Sequence, residues 1–135
     1  MRRQDRIVAA ARDLIGAPFR LHGRNVRTGV DCIGLAVLSL ERAGHRRVTM
    51  LAPERYSIRG GRPADFAESL MRAGLRRART ARPGDLVLVE ADVAQFHLMI
   101  ATGSGHVHAH AGLGLVVEMP GASPWPVLGN WRWGR

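Results

Sequence analysis

The stretch Thr28–Leu40, TGVDCIGLAVLSL, decides how the rest of the chain is interpreted. It holds the only cysteine, Cys32, with Asp31 before it and an apolar run after it. Asp is a preferred helix N-cap, so the stretch predicts a helix that begins at Cys32, and Gly44 predicts its end. Because the run is too apolar for a surface helix, we expect this helix to be central and buried.

Two interpretations of Cys32 follow from this position. Free cysteine is among the most buried residue types, so Cys32 fits a core thiol. At a helix N-terminus, the unpaired N–H groups and the helix dipole favour a thiolate, and the same N–H groups can hold an oxyanion. The charge of Asp31 opposes a thiolate, so a nucleophilic Cys32 needs a positive partner. The stretch alone leaves both interpretations open.

Composition places the chain among globular proteins. With 135 residues and 46% hydrophobic content, we expect one domain over residues 1–135. No apolar run approaches the roughly 20 residues that cross a bilayer, so we expect no membrane insertion. The N-terminus, MRRQDRIVAAARDLIG, lacks the apolar core of a secretory signal, because Arg12 and Asp13 interrupt it. We therefore expect synthesis in the cytoplasm and any export by another route.

The charge of the chain is strongly positive. The net charge is +9, and all 20 basic residues are arginine. A positive field attracts polyanions such as nucleic acid or an acidic wall polymer. A nucleic-acid surface, however, interleaves basic residues with aromatic ones, whereas here the aromatics are few and the arginines are scattered. We therefore interpret the charge as a solvated basic surface and expect no nucleic-acid partner.

Periodicity predicts helices first and strands afterwards. Helices are expected at Gln4–Ile15, from Cys32 to Gly44 and at Pro63–Ala73, with loops at Phe19–Val30, at His45–Gly61 and in the Pro- and Trp-rich tail SPWPVLGNWRWGR. Strand-like runs follow Pro83, at DLVLV, FHLMIA, HVHAH and LVVE. This order favours an α+β domain with N-terminal helices packed on a small antiparallel sheet.

Histidines cluster in two of these strands. His106, His108 and His110 alternate, which places them on one face of their strand. A two-residue hairpin loop would put His97 on the same face, and a three-residue loop would put it on the other. One imidazole oriented by another is the arrangement that activates a cysteine nucleophile. A zinc or nickel site and a solvated sheet face are the two other interpretations.

At this point three blocks resemble a known family. In chain order, GAPFRLHGRNVRTGVDCIGLA, RPGDLVLVE and FHLMIATGSGHVHA look like the signature blocks of the NlpC-type cysteine peptidases. The resemblance runs from about Ile7 to Val117. It implies a papain-like fold, no cofactor or metal, and cleavage of the stem peptides of bacterial peptidoglycan. The helix after DCIG and the Trp-containing tail look more like the branch encoded with phage tails and gene-transfer agents.

The resemblance also implies roles for individual residues. By position, Cys32 matches the nucleophile, His97 the general base and His108 the residue that orients the base. The backbone N–H of Cys32 would contribute to the oxyanion hole, and Phe19 and Asp31 would lie beside it with the substrate. His106 and His110 match no signature position and remain second choices for the role of His108.

Two departures from the family pattern stand out. Many members have Tyr at the position of Phe19, whose side chain cannot donate a hydrogen bond, and Ser at the position of Ile33.

The activity that the resemblance implies is that of a peptidoglycan endopeptidase acting between γ-D-glutamate and a diamino acid. The enzyme would be carried by phage-tail-like partners and would act on the cell wall in the periplasm. The alternatives are a catalytically impaired structural or binding tail component, and an amidase or acyltransferase with another acyl substrate.

Overall fold

Three helices precede most of an antiparallel sheet, as the sequence predicts. The computed structural model describes residues 2–46, 62–93 and 95–134. The elements are, in order, α1 Arg3–Asp13, β1 Arg24–Asn25, β2 Gly29–Val30, α2 Cys32–Arg42, α3 Pro63–Arg72, β3 Leu75–Ala78, β4 Leu86–Asp92, β5 Gln95–Ala101, β6 Gly105–His110, β7 Leu115–Pro120 and β8 Val127–Trp133. The main sheet has the order β3-β8-β4-β5-β6-β7.

The helices cover one face of this sheet. Leu35 and Leu40 of α2 are almost fully buried in a core that also contains Leu98 and Ile100 of β5 and Ile7 of α1. The opposite residues of the strands form a second, smaller cluster, in which Trp125 and Met119 pack against buried β4 and β5 side chains. β4 and β5 therefore bury apolar residues on both faces, which explains why the sequence of β4 is a continuous apolar run.

The predicted helices agree with the structure, with small differences at their ends. α1 ends at Asp13 rather than at Ile15, and α2 runs to Arg42, with Gly44 in the left-handed conformation two residues later. Most of the predicted loop at His45–Gly61 lies outside the described residues. In the part of the chain that the structure describes, no helix has the length and hydropathy of a membrane span.

The loop predicted for the tail is wrong. Residues 127–133 form β8, a central strand hydrogen-bonded to both β3 and β4. Trp131 of β8 is 3% exposed, and the burial of such a large side chain stabilises the strand strongly. The predicted loop at Phe19–Val30 is likewise incomplete, because it contains the short β1–β2 hairpin.

A buried ion pair ties β8 to the start of β4. Both carboxylate oxygens of Asp85, which is 0% exposed, accept hydrogen bonds from Arg132, at 2.8 and 2.7 Å. Asp85 also accepts from the backbone N–H of Arg82 at 2.8 Å. Such bidentate, charge-assisted pairs are among the stronger polar contacts of a protein.

Asp85→Ala should therefore lower the free energy of unfolding by about 2 kcal/mol or more, because it leaves a partly buried guanidinium without its partner. Urea denaturation would measure the change. Glu68→Ala is the matched control, since Glu68 pairs with Arg72 at the surface of α3, and its loss should cost about 0.5 kcal/mol or less. Equal losses of unfolding free energy in the two variants would contradict the larger contribution assigned to the Asp85–Arg132 pair.

Candidate active site

Cys32 is the first residue of α2, as predicted, and Asp31 is its N-cap. The Asp31 carboxylate accepts the backbone N–H of Gly34 at 2.8 Å, one of the helix-end donors that lack an intrahelical partner. Gly34 is required at this turn, because a Cβ there would overlap the carbonyl oxygen of Gly23. The helix start is therefore packed tightly against the preceding loop, and Cys32 is only 1% exposed.

Asp31 has more partners than a cap requires. Its second oxygen, Oδ2, accepts the backbone N–H of His22 at 2.8 Å, and Arg24 of β1 donates at 3.1 Å to Oδ1, the oxygen that also accepts from Gly34. Asp31 was expected beside the substrate. Instead its carboxylate is fully buried and bound to the protein's own groups, and it does not line the cavity described below. Arg24 pairs with the Asp31 carboxylate, and its own effect on the pKa of Cys32 is the smallest of those that act there.

The environment of Cys32 keeps its thiol protonated. Burial, and secondly the charge of Asp31, raise the pKa of Cys32 to about 12. Backbone hydrogen bonds at Leu98 and Ile33 and the charge of Arg24 act in the opposite direction and are weaker. The helix N-terminus therefore does not produce a resting thiolate by itself, and ionisation of Cys32 needs a base or a change in hydration.

His97 and His108 form a hydrogen-bonded pair. Nε2 of His97 lies 3.0 Å from Nδ1 of His108, and the rings meet edge to face. The β5–β6 register pairs Ala101 with His106, and the N–H of Thr102 donates to the Gly105 carbonyl at 2.9 Å, which leaves a loop of two residues, 103–104. A two-residue loop places His97 on the same face as the alternating histidines.

The histidine pair is held neutral. Burial, and then the charge of His108 and His110, lower the pKa of His97 to about 3. Burial, followed by the charges of His110 and His106, lowers the pKa of His108 to about 4. The ring of Trp125 meets both imidazoles edge to face, with centroids 6.0 and 5.7 Å away.

Cys32 and the histidine pair line one cavity of about 360 Å³. It lies at the end of β5 and β6 that carries His97 and His108, beyond their two register pairs, Ile100–Val107 and Ala101–His106. Cys32, at the start of helix α2, and the two histidines of the strands line this cavity together. The remaining lining includes Phe19, Phe96, Trp125, His110 and the turn after it.

The structure places the other candidate residues in two different cavities. Phe19 and His110 line the cavity. His106 lies in another cavity, with Arg82 and Ser104, so the structure does not bring it to His97. Among the residues that the structure describes, no three His, Cys, Asp or Glu side chains are grouped to hold a metal ion. Trp125 was not identified from sequence, because nothing in SPWP indicates which side chains the indole covers.

Alkylation of Cys32 by iodoacetamide should be slow at pH 7 and should rise about tenfold per pH unit from pH 7 to 9, without a plateau. The reason is that the raised pKa of Cys32 leaves the thiolate a small fraction that grows with pH. Mass spectrometry of the intact protein would follow the reaction. A plateau with an apparent pKa below 8 would show instead that a partner ionises the thiol at rest.

Stability should fall as the pH drops from about 6.5 towards 4. In this range the unfolded chain binds protons at histidine and the folded chain does not, because the pKa values of His97 and His108 are lowered. Each histidine contributes a slope of at most about 1.4 kcal/mol per pH unit. Urea denaturation of wild type and His108→Gln at several pH values would measure it, and identical slopes would contradict the assignment.

Comparisons with known proteins agree with this architecture. Neither a protein-family model nor a curated protein matches the chain. Among solved structures, NlpC1 from Trichomonas vaginalis matches with a TM-score of 0.64 and 18% identity, over 96% of this chain and 44% of that chain. The P60 domain of an antigen from M. avium subspecies paratuberculosis matches with a TM-score of 0.62 and 18% identity, over 97% of this chain and 93% of that chain.

A third match is the NlpC/p60 domain of the peptidoglycan hydrolase SagA, with a TM-score of 0.52 and 26% identity, over 87% of this chain and 88% of that chain. The chain thus spans less than half of the Trichomonas structure and most of the two isolated domains. It has the papain-like α+β fold of NlpC/P60 domains, as the sequence predicts.

Proposed function

We propose that this chain is a cysteine peptidase of the NlpC/P60 type that hydrolyses amide bonds in peptidoglycan stem peptides. The observation that carries the proposal is the His97–His108 hydrogen bond of 3.0 Å in the cavity that Cys32 also lines. A thiol, a base and a group that orients the base are the parts that acyl transfer requires. The structural neighbour SagA, a peptidoglycan hydrolase, supports the choice of substrate.

The hydrogen bond determines which nitrogen acts. Since Nε2 of His97 is engaged with Nδ1 of His108, Nδ1 of His97 is the nitrogen left to accept the thiol proton. This requires Nε2 of His97 to be protonated and to donate a hydrogen bond to Nδ1 of His108. As His97 becomes an imidazolium, the same bond stabilises its charge, so His108 acts as an orienting and charge-stabilising group.

The reaction then proceeds in two halves. The sulfur of Cys32 attacks the carbonyl carbon while its proton passes to His97, and the N–H groups at the start of α2 stabilise the oxyanion. His97 returns the proton to the leaving amine, and the C–N bond breaks to give a thioester. Water, deprotonated by His97, attacks the thioester and releases the acid and the free thiol.

The neutral resting state fits general-base catalysis. Because the pKa of the thiol is raised and those of the histidines are lowered, the site holds no ion pair before substrate binds. Charge separates only as the sulfur attacks. His97 then becomes positive and the carbonyl oxygen of the substrate becomes negative, and the N–H groups at the start of α2 stabilise that oxygen. Favourable interactions are thus concentrated in the transition state.

The finer parts of the proposal concern substrate and context. We assign the bond between γ-D-glutamate and the following diamino acid, and we place the chain, as a single domain over residues 1–135, in the branch carried by phage tails and gene-transfer agents. Such a particle would bring it to the cell wall in the periplasm. The net charge of +9 supports attraction to the anionic wall, whose carboxylates arginine binds well.

Digestion of isolated sacculi tests the function. Wild type should release stem-peptide fragments, and Cys32→Ala should reduce the rate by about 1,000-fold or more, because the nucleophile is absent. His106→Gln is the control, since His106 lies in another cavity. Mass spectrometry of the products should show a new amino group on the diamino acid. Equal rates for wild type and Cys32→Ala would refute the proposal.

A second candidate is a structural or binding tail component with the same fold. Two observations favour it: Cys32 is 1% exposed with a raised pKa, and Phe19 presents no hydrogen-bond donor to the cavity. In that case wild type and Cys32→Ala would both bind sacculi, and neither would release fragments. An amidase or acyltransferase acting on another acyl group would instead leave sacculi intact and turn over a different ester or amide.

A further inference from the structure

His110 lines the candidate active site without belonging to the histidine pair. It is the last residue of β6, two positions after His108 on the same face, and their ring centroids are 5.4 Å apart. The reaction described above does not use it. Its ring is nevertheless part of the cavity wall, beside Ala109 and the turn that follows.

One hydrogen bond fixes the protonation of this ring. Nδ1 of His110 accepts the backbone N–H of Leu113 at 3.0 Å, so Nδ1 carries the lone pair. The ring is then neutral, with its proton on Nε2, which makes Nε2–H a hydrogen-bond donor. In the His97–His108 pair, by contrast, each ring uses one nitrogen to bind the other.

The turn that holds His110 is built around glycine and is hydrogen-bonded to Phe19, another residue of the cavity lining. The N–H of Gly114 bonds back to the His110 carbonyl at 2.9 Å, and the Gly114 carbonyl accepts the N–H of Phe19 at 2.8 Å. A Cβ at Gly112 would lie 3.1 Å from Cε1 of His110, so a glycine lets the ring fold over its own turn. His110 and Phe19 are thereby held in a fixed relation.

We propose that His110 is a substrate-binding residue, whose Nε2–H donates to an oxygen of the acyl part of the substrate. The inference rests on the proposed function, because the substrate is taken to be a stem peptide. Phe19 offers only an apolar surface at this side of the cavity, whereas peptides present carbonyl and carboxylate oxygens. A donor whose ring is held by the Leu113 N–H can recognise such an oxygen from a fixed position.

Binding and turnover of the tripeptide L-Ala-γ-D-Glu-diaminopimelate test this assignment. His110→Phe keeps the ring and loses the donor, so it should raise KM about tenfold with little change in kcat. His110→Gln keeps a donor at a similar distance and should restore KM to within about threefold of wild type. His106→Gln is the control for altering a histidine of the same strand outside this cavity.

Two further readouts exclude a role through the histidine pair. If His110 acted by its charge on His97 and His108, His110→Phe would move the pH profile of kcat and leave KM unchanged, which would overturn the proposal. Nitrogen-15 NMR of the imidazoles should show the Nε2–H form of His110 in the free protein. A proton on Nδ1 would also overturn it.

Calorimetry in the Cys32→Ala background separates this inference from the proposed function. If the tripeptide binds and His110→Phe weakens the Kd about tenfold, the inference holds even when the wild-type protein cleaves nothing. If wild type cleaves the tripeptide but His110→Phe leaves both KM and Kd unchanged, the inference fails and the proposed function stands. Absence of binding to any variant would refute the inference.

Discussion

The site depends on one buried carboxylate. Asp31 caps α2 through Gly34, holds the loop through the N–H of His22 and binds Arg24, and all three contacts meet within one residue of the sulfur-bearing Cys32. A carboxylate is costly to bury unless it is paired, and here a cation and two backbone donors compensate for the lost hydration. The cost is electrostatic, because the charge beside Cys32 raises the pKa of its thiol. Asp31 thus fixes the position of Cys32 and at the same time makes its thiol harder to ionise.

The same balance extends across the cavity. Burial lowers the pKa values of His97 and His108 more than the charges of the neighbouring histidines do, and the Trp125 ring lies against both. Partial burial makes a hydrogen bond electrostatically stronger, including the one between the two imidazoles. The features that suppress charge at rest therefore also strengthen the stabilisation of charge as it develops during the proposed reaction.

Sequence reasoning succeeded where the signal is local. The cap at Asp31 and the helix after it follow from one dipeptide and an apolar run, and the shared face of His97 and His108 follows from alternation once the loop has an even length. It failed where pairing is distant in sequence. β8 was expected to be a loop because Pro and Gly dominate its surroundings, yet β3 and β4 supply hydrogen bonds on both sides. Arg24 and Trp125 were missed for the same reason, since nothing near them in sequence names their partners.

The residue at position 19 shows how the fold separates position from chemistry. The resemblance leads one to expect a hydroxyl there, and Phe19 has none. What fixes this residue is its backbone, which bonds to the carbonyl of Gly114 and would do so with any side chain except proline. The hydrogen bond links position 19 to the turn that carries His110, and both residues line the same cavity. Because this backbone contact does not depend on the side chain, a phenylalanine at position 19 changes the chemistry of the cavity wall without disturbing the turn.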